Sequence, residues 1–174
     1  MNERGLIRVA RAADRAAIDA IYAHYVHSST CTFEETPEPD DARRAWFDSH
    51  GERYPITVLE DDGAIVAWAS LSPWKARSGY RTSTELSVYV RADRIGEGLG
   101  SRLLADLIER ATALGYHALI GGISADQTAS IRLHERFGFE RVAHFRQTGR
   151  KFGRWLDVVY YERLLGPAAD PAIH

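Results

Sequence analysis

Residues 88–104 read VYVRADRIGEGLGSRLL and place the end of a strand, a glycine-rich turn and the start of a helix in direct succession. Glycines at positions 96, 98 and 100 leave backbone N–H groups uncovered where the helix begins. A helix N-terminus attracts phosphate through such free donors and through its dipole. Three spaced glycines are also compatible with an ordinary turn, but the flanking strand and amphipathic helix favour an anion-binding turn.

The glycine spacing separates this turn from two common nucleotide-binding motifs. It is not the G-x-G-x-x-G of a dinucleotide-binding fold, and two helices and three further strands are predicted before it. No Gly-Lys-Ser/Thr follows the turn, so the Walker spacing is absent as well. We therefore expect a phosphate or pyrophosphate site of another type.

Hydrophobic periodicity on both sides of the turn predicts an α/β chain of the α+β type. The pattern indicates strands at residues 6–9, 56–60, 64–71, 85–90, 118–123, 139–145 and 156–164, and helices from 14 (with Asp14 as N-cap), from 40 or 41, from 101 and over 128–137. Strands joined by hairpins pair antiparallel and strands joined through helices tend to pair parallel, so mixed pairing is expected. We expect one domain over residues 1–165 and a loose tail over 166–174.

The composition is that of a globular chain without a basic surface field. Of the 174 residues, 45% are hydrophobic and 26% charged, and the formal net charge of −2 disfavours nucleic acid as a partner. Cys31 is the only cysteine, which suits a reducing compartment. Residues 1–10 do not resemble a signal peptide, no membrane-spanning run occurs, and no histidine pair has helical zinc spacing. We expect a cytoplasmic protein without a membrane or metal partner.

Residues 126–139 read DQTASIRLHERFGF and form a second element, a helix that ends at Gly-Phe. The turn and this helix, in this order, resemble the GNAT superfamily of N-acetyltransferases. In that family the turn binds the pyrophosphate of acetyl-CoA, and the polar residue that opens the second helix helps to hold the pantetheine arm. Ile95 and Gln127 stand where the family usually has Gln or Arg and Asn. The resemblance implies acetyl-CoA as cosubstrate, bound by Val88, Tyr89, Val90, Gly96, Glu97, Gly98, Leu99, Gly100, Ser101, Gln127 and Ser130.

A further set of segments comprises residues 29–33 (STCTF), 73–77 (PWKAR), 133–135 (LHE) and 151–158 (KFGRWLDV), with Glu85 ahead of residues 88–90. Together they look like phosphinothricin acetyltransferases and their relatives that acetylate methionine sulfone and sulfoximine, over about residues 7–165. The resemblance implies a largely antiparallel sheet splayed near Val90, with helices on both faces. It also implies a homodimer, with Lys151 and Arg154 as candidate subunit contacts, and a substrate pocket that includes Phe33, Trp74, Lys75 and Arg77.

Acetyl transfer to an amino acid needs a base, because its amine is an ammonium ion at neutral pH. By family position Glu85 supplies this carboxylate, although an ion-paired surface residue is the alternative. His134 could donate or relay a proton, or could simply be packed. Lys75 and Arg77 could bind a carboxylate or phosphinate-like group, although most surface cations are only solvated. A backbone N–H within residues 87–89 could polarise the thioester oxygen.

We therefore expect an acetyl-CoA-dependent N-acetyltransferase that acts on the primary amine of a small amino-acid-like molecule of the phosphinothricin, methionine sulfone or methionine sulfoximine type. Direct transfer is expected, because Cys31 lies far in sequence from both motifs and lacks an evident activating partner. The alternatives are acetylation of a protein N-terminus or of a polyamine, and a non-catalytic acyl-CoA-binding sensor. Retention of both Glu85 and His134 disfavours the sensor.

Overall fold

The computed structural model describes residues 5–166, so the predicted tail lies outside the described residues apart from Gly166. The chain forms seven strands and four α-helices, and their order matches the order predicted from periodicity. They are β1 (Leu6–Val9), α1 (Arg15–Ser28), α2 (Asp40–Asp48), β2 (Ile56–Asp61), β3 (Ala64–Pro73), β4 (Ser83–Val90), α3 (Leu99–Ala113), β5 (Ala118–Ser124), α4 (Thr128–Arg136), β6 (Glu140–Lys151) and β7 (Arg154–Leu164).

All seven strands join one sheet in the order β1-β2-β3-β4-β5-β7-β6. Every neighbouring pair is antiparallel except β4 and β5, which are parallel. The prediction of a mixed, largely antiparallel sheet is therefore confirmed. The parallel pair is the one that the chain connects through helix α3, as a crossover connection requires.

The two central strands, β4 and β5, pair over only three residues and then separate. Only Ser83–Glu85 of β4 pairs with Ala118–Ile120 of β5. Beyond that point β4 stays paired with β3 as far as Val90, and β5 stays paired with β7 as far as Ser124. The predicted splay is present, but it opens directly after Glu85, five residues before the predicted position at Val90.

Helices cover both faces of the sheet, as expected. Helix α3 buries Leu103, Leu104 and Leu107 against one face, together with apolar residues of α4. Helix α1 buries Ile18 and Ile21 against the other face. The strands between them alternate accordingly; on β3, Ala67, Ala69 and Leu71 belong to the α3 side, whereas Trp68 belongs to the α1 side.

Three local predictions differ from the structure. Asp14 occupies the N-cap position of α1, as predicted, but its carboxylate makes no capping hydrogen bond to that helix and instead accepts hydrogen bonds from Arg8 and from the backbone N–H of Arg11. Helix α3 begins at Leu99, two residues early, because Gly98 at φ 80° takes the N-cap position. Strand β6 runs to Lys151, because its register shifts between Phe145 and Gly149 and then resumes, which interrupts the alternating pattern.

Candidate active site

A cavity of about 500 Å³ lies in the splay between β4 and β5. Its walls come from residues 86–90 of β4, residues 121–124 of β5, the turn before α3 and the inner face of α4. Tyr25 and Cys31 close it from the α1 side. Because β5 has turned away, the β4 backbone groups that face the cavity have no strand partner. The two sequence motifs therefore meet at one cavity.

The glycine turn forms the end of this cavity next to α3. Gly96 and Gly98 adopt φ values of 89° and 80°, a left-handed conformation that other residues reach only at a cost. Gly100 lies so close to Leu133 and Val90 that a Cβ there would sit 3.5 Å and 3.7 Å from their side chains. The first N–H groups of α3 have no helical partner and lie at the cavity, so the turn fits a phosphate group.

Two arginine side chains that the sequence motifs did not indicate as ligands lie at this turn. Arg94 lines the cavity and donates to Asp61 at 2.8 Å and to Glu97 at 2.7 Å. Arg136 of α4 lines the cavity and donates to the hydroxyl of Ser101 at 2.6 Å. The Glu97 carboxylate is thus engaged by Arg94, and Glu97 is absent from the cavity wall that the described residues form. A cofactor contact of Glu97 would therefore come from its backbone.

Gln127 and Ser130 line the other side of the cavity at the start of α4. The Gln127 amide nitrogen donates to the hydroxyl of Thr30 at 2.6 Å, so the side chain is turned toward the loop after α1. The Ser130 carbonyl accepts a hydrogen bond from His134 Nδ1 at 2.8 Å. Gln127 therefore anchors loop 29–33 in this structure, in addition to any contact with a ligand.

His134 is buried and lines the cavity from α4. Because a carbonyl oxygen only accepts, the bond to Ser130 puts the proton on Nδ1 and leaves a lone pair on Nε2. Among the described residues Nε2 has no hydrogen-bond partner, and a Cβ on Gly121 would lie 2.8 Å from it. Burial lowers the pKa of His134, although the hydrogen bond to Ser130 acts to raise it. The ring is therefore a neutral acceptor.

Glu85 lies at the point where β4 and β5 separate, partly buried beside the cavity. A Cβ on Gly122, which lines the cavity, would lie 3.5 Å from Glu85 Oε1. Burial raises the pKa of the Glu85 carboxyl, and the Lys75 ammonium acts in the opposite direction. Gly121 and Gly122 are consecutive on a strand, so His134 and Glu85 approach β5 from opposite faces of the sheet.

None of the predicted substrate residues lines the cofactor cavity. Trp74, Lys75 and Arg77 line a separate concavity, with the Lys75 ammonium 4.5 Å from the centre of the Trp74 ring. Phe33 packs on β6, where a Cβ on Gly149 would lie 2.8 Å from its ring. The structure thus brings Lys75 to Glu85, but it gives Arg77 no direct contact with that carboxylate.

Loop 29–33 reaches the cavity although it is remote from both motifs in sequence. Cys31 lines the cavity, so its separation along the chain is not a separation in space. Burial raises the pKa of the Cys31 thiol, with Ser29 and Lys151 opposing, which keeps the thiol protonated near neutral pH. Lys151, a candidate subunit contact from sequence, is instead 1% exposed and donates to the carbonyls of Ser29 at 2.7 Å and Thr32 at 2.8 Å.

A family model for the acetyltransferase (GNAT) domain matches residues 7–160, which is most of the chain. The chain belongs to the GNAT acetyltransferase family. It is 44% identical to an L-methionine sulfoximine/L-methionine sulfone acetyltransferase of Pseudomonas aeruginosa, covering 92% of this chain and 95% of that relative. The predicted family, and the closer resemblance to this group of acetyltransferases, are confirmed.

Two solved acetyltransferases share the fold over nearly their whole length. A phosphinothricin acetyltransferase from Sinorhizobium meliloti, in complex with acetyl-CoA, has a TM-score of 0.91 and 34% identity, covering 98% of each chain. A ribosomal-protein-alanine N-acetyltransferase from Brucella melitensis has a TM-score of 0.88 and 41% identity, covering 91% of this chain and 99% of that one. GNAT acetyltransferases use acetyl-CoA, so this chain is an N-acetyltransferase with acetyl-CoA as its cosubstrate.

Within residues 5–166, no cluster of three or more His, Cys, Asp or Glu side chains could hold a metal ion. No helix in the same range is long and apolar enough to cross a membrane.

The Gly98→Ala variant of this acetyltransferase should bind acetyl-CoA about tenfold more weakly, because alanine at φ 80° costs roughly 1–2 kcal/mol and distorts the anion-binding turn. Titration calorimetry with acetyl-CoA measures the change. Gly51→Ala is the matched control, since a Cβ there meets nothing within 4 Å. An unchanged affinity in Gly98→Ala would show that the turn does not hold the cofactor.

Proposed function

We propose that this acetyltransferase transfers the acetyl group of acetyl-CoA to the primary amine of a small amino-acid-like molecule of the phosphinothricin, methionine sulfone or methionine sulfoximine type. The observation that carries the proposal is a partly buried carboxylate, Glu85, at the point where β4 and β5 separate. It faces Gly122 of the cofactor cavity, and the Lys75 ammonium is near enough to lower its pKa. The names of the relatives from Pseudomonas aeruginosa and Sinorhizobium meliloti support the same substrate class.

In this proposal Glu85 is the general base. An amino acid arrives as an ammonium ion, and its nitrogen cannot attack a carbonyl until an N–H proton has left. The raised pKa of Glu85 brings the carboxylate closer to the pKa of the ammonium, which favours proton transfer. The proton moves from the substrate nitrogen to Glu85, and the electron pair stays on nitrogen as the nucleophile.

The other charged end of the substrate would meet Lys75 and Arg77. Both side chains are exposed and line the concavity beside Trp74, and Lys75 is near enough to Glu85 to influence its pKa. A cation next to the general base suits a zwitterion, whose carboxylate or sulfone oxygens need a donor. Phe33 contributes to the pocket only through the position of loop 29–33.

Two further groups would serve the acetyl transfer. Acetyl-CoA supplies the thioester carbonyl that the amine attacks. The new C–N bond forms, the C–S bond breaks, and coenzyme A leaves as a thiolate that takes up the second proton from nitrogen, while Glu85 releases the first to water. The unpaired N–H groups of β4 within residues 87–89 face the splay and would stabilise the negative charge on its oxygen. His134, neutral and with a free acceptor on Nε2, would accept a proton rather than donate one in this tautomer.

A thiol-release assay with acetyl-CoA tests the substrate class. The panel comprises phosphinothricin, methionine sulfone, methionine sulfoximine, the common free amino acids, an N-terminal peptide and spermidine. We expect turnover of the sulfone, sulfoximine or phosphinate compounds to exceed that of the peptide and spermidine by at least about 100-fold in kcat/KM, or about 2.7 kcal/mol. Turnover of the peptide alone would refute the small-substrate proposal.

The variant Glu85→Gln should lower kcat by about 10²–10⁴-fold, because the amide cannot take the proton. In the wild type, kcat should fall as pH drops through the raised pKa of Glu85, since the protonated carboxyl no longer accepts. That acidic limb should be absent from the residual activity of Glu85→Gln. Steady-state kinetics across the pH range measures both effects.

Cys31→Ala is the matched control for the direct route. Its thiol lines the same cavity but is kept protonated by burial, so the variant should keep at least about half of the wild-type kcat. A folded Cys31→Ala variant without turnover would instead indicate an acyl-enzyme on Cys31 and would refute the direct route.

A second candidate is acetylation of a protein N-terminus. It is favoured by one observation, the 41% identity to the ribosomal-protein-alanine N-acetyltransferase of Brucella melitensis. A peptide substrate needs an open groove for several residues, whereas an amino acid needs a cation for its own carboxylate. The exposed Lys75 near Glu85, with Arg77 in the same concavity as Lys75, supports the amino acid. A polyamine would be repelled by the same two cations.

We also propose a homodimer in the cytoplasm, the compartment being supported by the lone cysteine. Strand β6 is an edge strand of twelve residues, and the β6–β7 hairpin exposes Val142, Phe152 and Trp155, each by more than half. An exposed apolar edge of this kind favours a partner. Light scattering after gel filtration should give about 39 kDa, twice the chain mass of 19.5 kDa, and Trp155→Arg should shift it to the monomer. A wild-type monomer at micromolar concentration would refute the dimer.

A further inference from the structure

An aromatic cluster that neither sequence motif indicated approaches Glu85 through Tyr160. Tyr160 of β7 is its centre, with its ring 5.4 Å from Trp74 at 73° and 5.7 Å from Phe145 at 88°. Trp74 and Tyr160 are partly buried, and half of Phe145 is exposed. Edge-to-face contacts of this kind hold three rings in fixed positions at the mouth of a site.

Tyr160 and Glu85 converge on the same point of the sheet. In the β5–β7 register Gly122 is opposite Tyr160, and in the β4–β5 register Glu85 is opposite Ile120, two residues before Gly122. The three side-chain positions therefore share one face. A Cβ on Gly122 would lie 3.1 Å from the Tyr160 ring, which is tighter than usual packing, and 3.5 Å from Glu85 Oε1, so both side chains approach the same glycine.

A carboxylate beside aromatic rings is a binding site for an ammonium ion. The carboxylate attracts the charge, and the electron-rich ring faces add a cation–π contribution that an uncharged amine does not gain. The cluster already takes one cation, since the Lys75 ammonium lies 4.5 Å from the Trp74 ring centre. The Tyr160 ring also feels the Glu85 charge, which acts together with burial to raise the pKa of its hydroxyl.

We propose that Tyr160, with Trp74 and Phe145, forms an ammonium-binding wall that receives the substrate amine in its protonated form next to Glu85. The inference rests on the proposed function and adds the residues that recognise the amine. It makes Tyr160 a substrate-contacting and specificity-determining residue, which the sequence motifs did not reveal. A quaternary ammonium analogue, which has no proton to give, should therefore bind and remain unreacted.

The test compares two ligands of the same shape, glycine betaine and 3,3-dimethylbutanoate, in which a carbon atom replaces the quaternary nitrogen. Titration calorimetry on the full chain saturated with coenzyme A measures both affinities. We expect betaine to bind about tenfold more tightly than its isostere, in the range of cation–π contacts beside a carboxylate. Equal affinities, or no binding of betaine, would overturn the proposal.

Variants of the aromatic wall test which side chain causes the preference for betaine over its isostere. Tyr160→Leu, which removes the ring, should reduce the betaine preference to less than about threefold, whereas Tyr160→Phe should keep it, because the ring and not the hydroxyl provides the interaction. Tyr80→Leu, an exposed tyrosine outside the cluster, should leave it unchanged. A preference that survives in Tyr160→Leu would overturn the role of Tyr160. Phe145→Leu, at a half-exposed position, provides the same comparison should Tyr160→Leu fail to fold.

The ligand pair also separates this inference from the proposed function. Betaine cannot be acetylated, so its binding does not depend on turnover of any amine. Absence of turnover on the amino-acid panel, with the betaine preference intact, would refute the proposed substrate class. The proposed ammonium-binding wall would still be supported. Turnover on the panel without a betaine preference would refute the wall alone.

Discussion

The site depends on how two central strands share their hydrogen bonds. β4 and β5 pair over three residues, and each then keeps only its outer partner. The inner backbone groups of both strands are left without a sheet partner, a state that a folded protein tolerates only where water or a ligand can satisfy them. Between its two central strands the sheet thus contains a region whose backbone polar groups require a partner from water or a ligand. The cofactor cavity, the start of α3 and the general-base candidate all lie around that region.

This arrangement also explains the glycines at the site. Gly121 and Gly122 are consecutive on β5, and their missing side chains admit His134 on one face and Glu85 with Tyr160 on the other. The two faces of this strand thereby contact different side chains, Glu85 and Tyr160 on the α1 side and the buried His134 imidazole on the α4 side. A side chain at Gly121 would collide with the His134 ring, and one at Gly122 would press against the Tyr160 ring.

Most of the fold was predictable because it is encoded locally. The alternation in β2 and β3, the amphipathic face of α3 and the glycine turn each depend on residues within one short window. Side-chain partners were less predictable where a tertiary interaction overrides local preference; the Asp14 carboxylate binds Arg8 and makes no capping bond to α1. Cys31 and Tyr160 reach the site only through the assembled sheet, and no spacing in the sequence connects them to Glu85. The role of Gln127 was recognisable as a motif position, but its bond to Thr30 was not.

The buried Lys151 links two segments that are far apart in the sequence. Its ammonium binds the carbonyls of Ser29 and Thr32, residues 122 and 119 positions earlier, at the end of the first helix. During synthesis on the ribosome the first helix and its loop emerge long before this partner exists. The wall of the cavity that contains Cys31 therefore cannot form until the β6–β7 hairpin has been synthesised and has packed against the loop after α1. A nascent chain that stalls before this hairpin would lack this part of the active site.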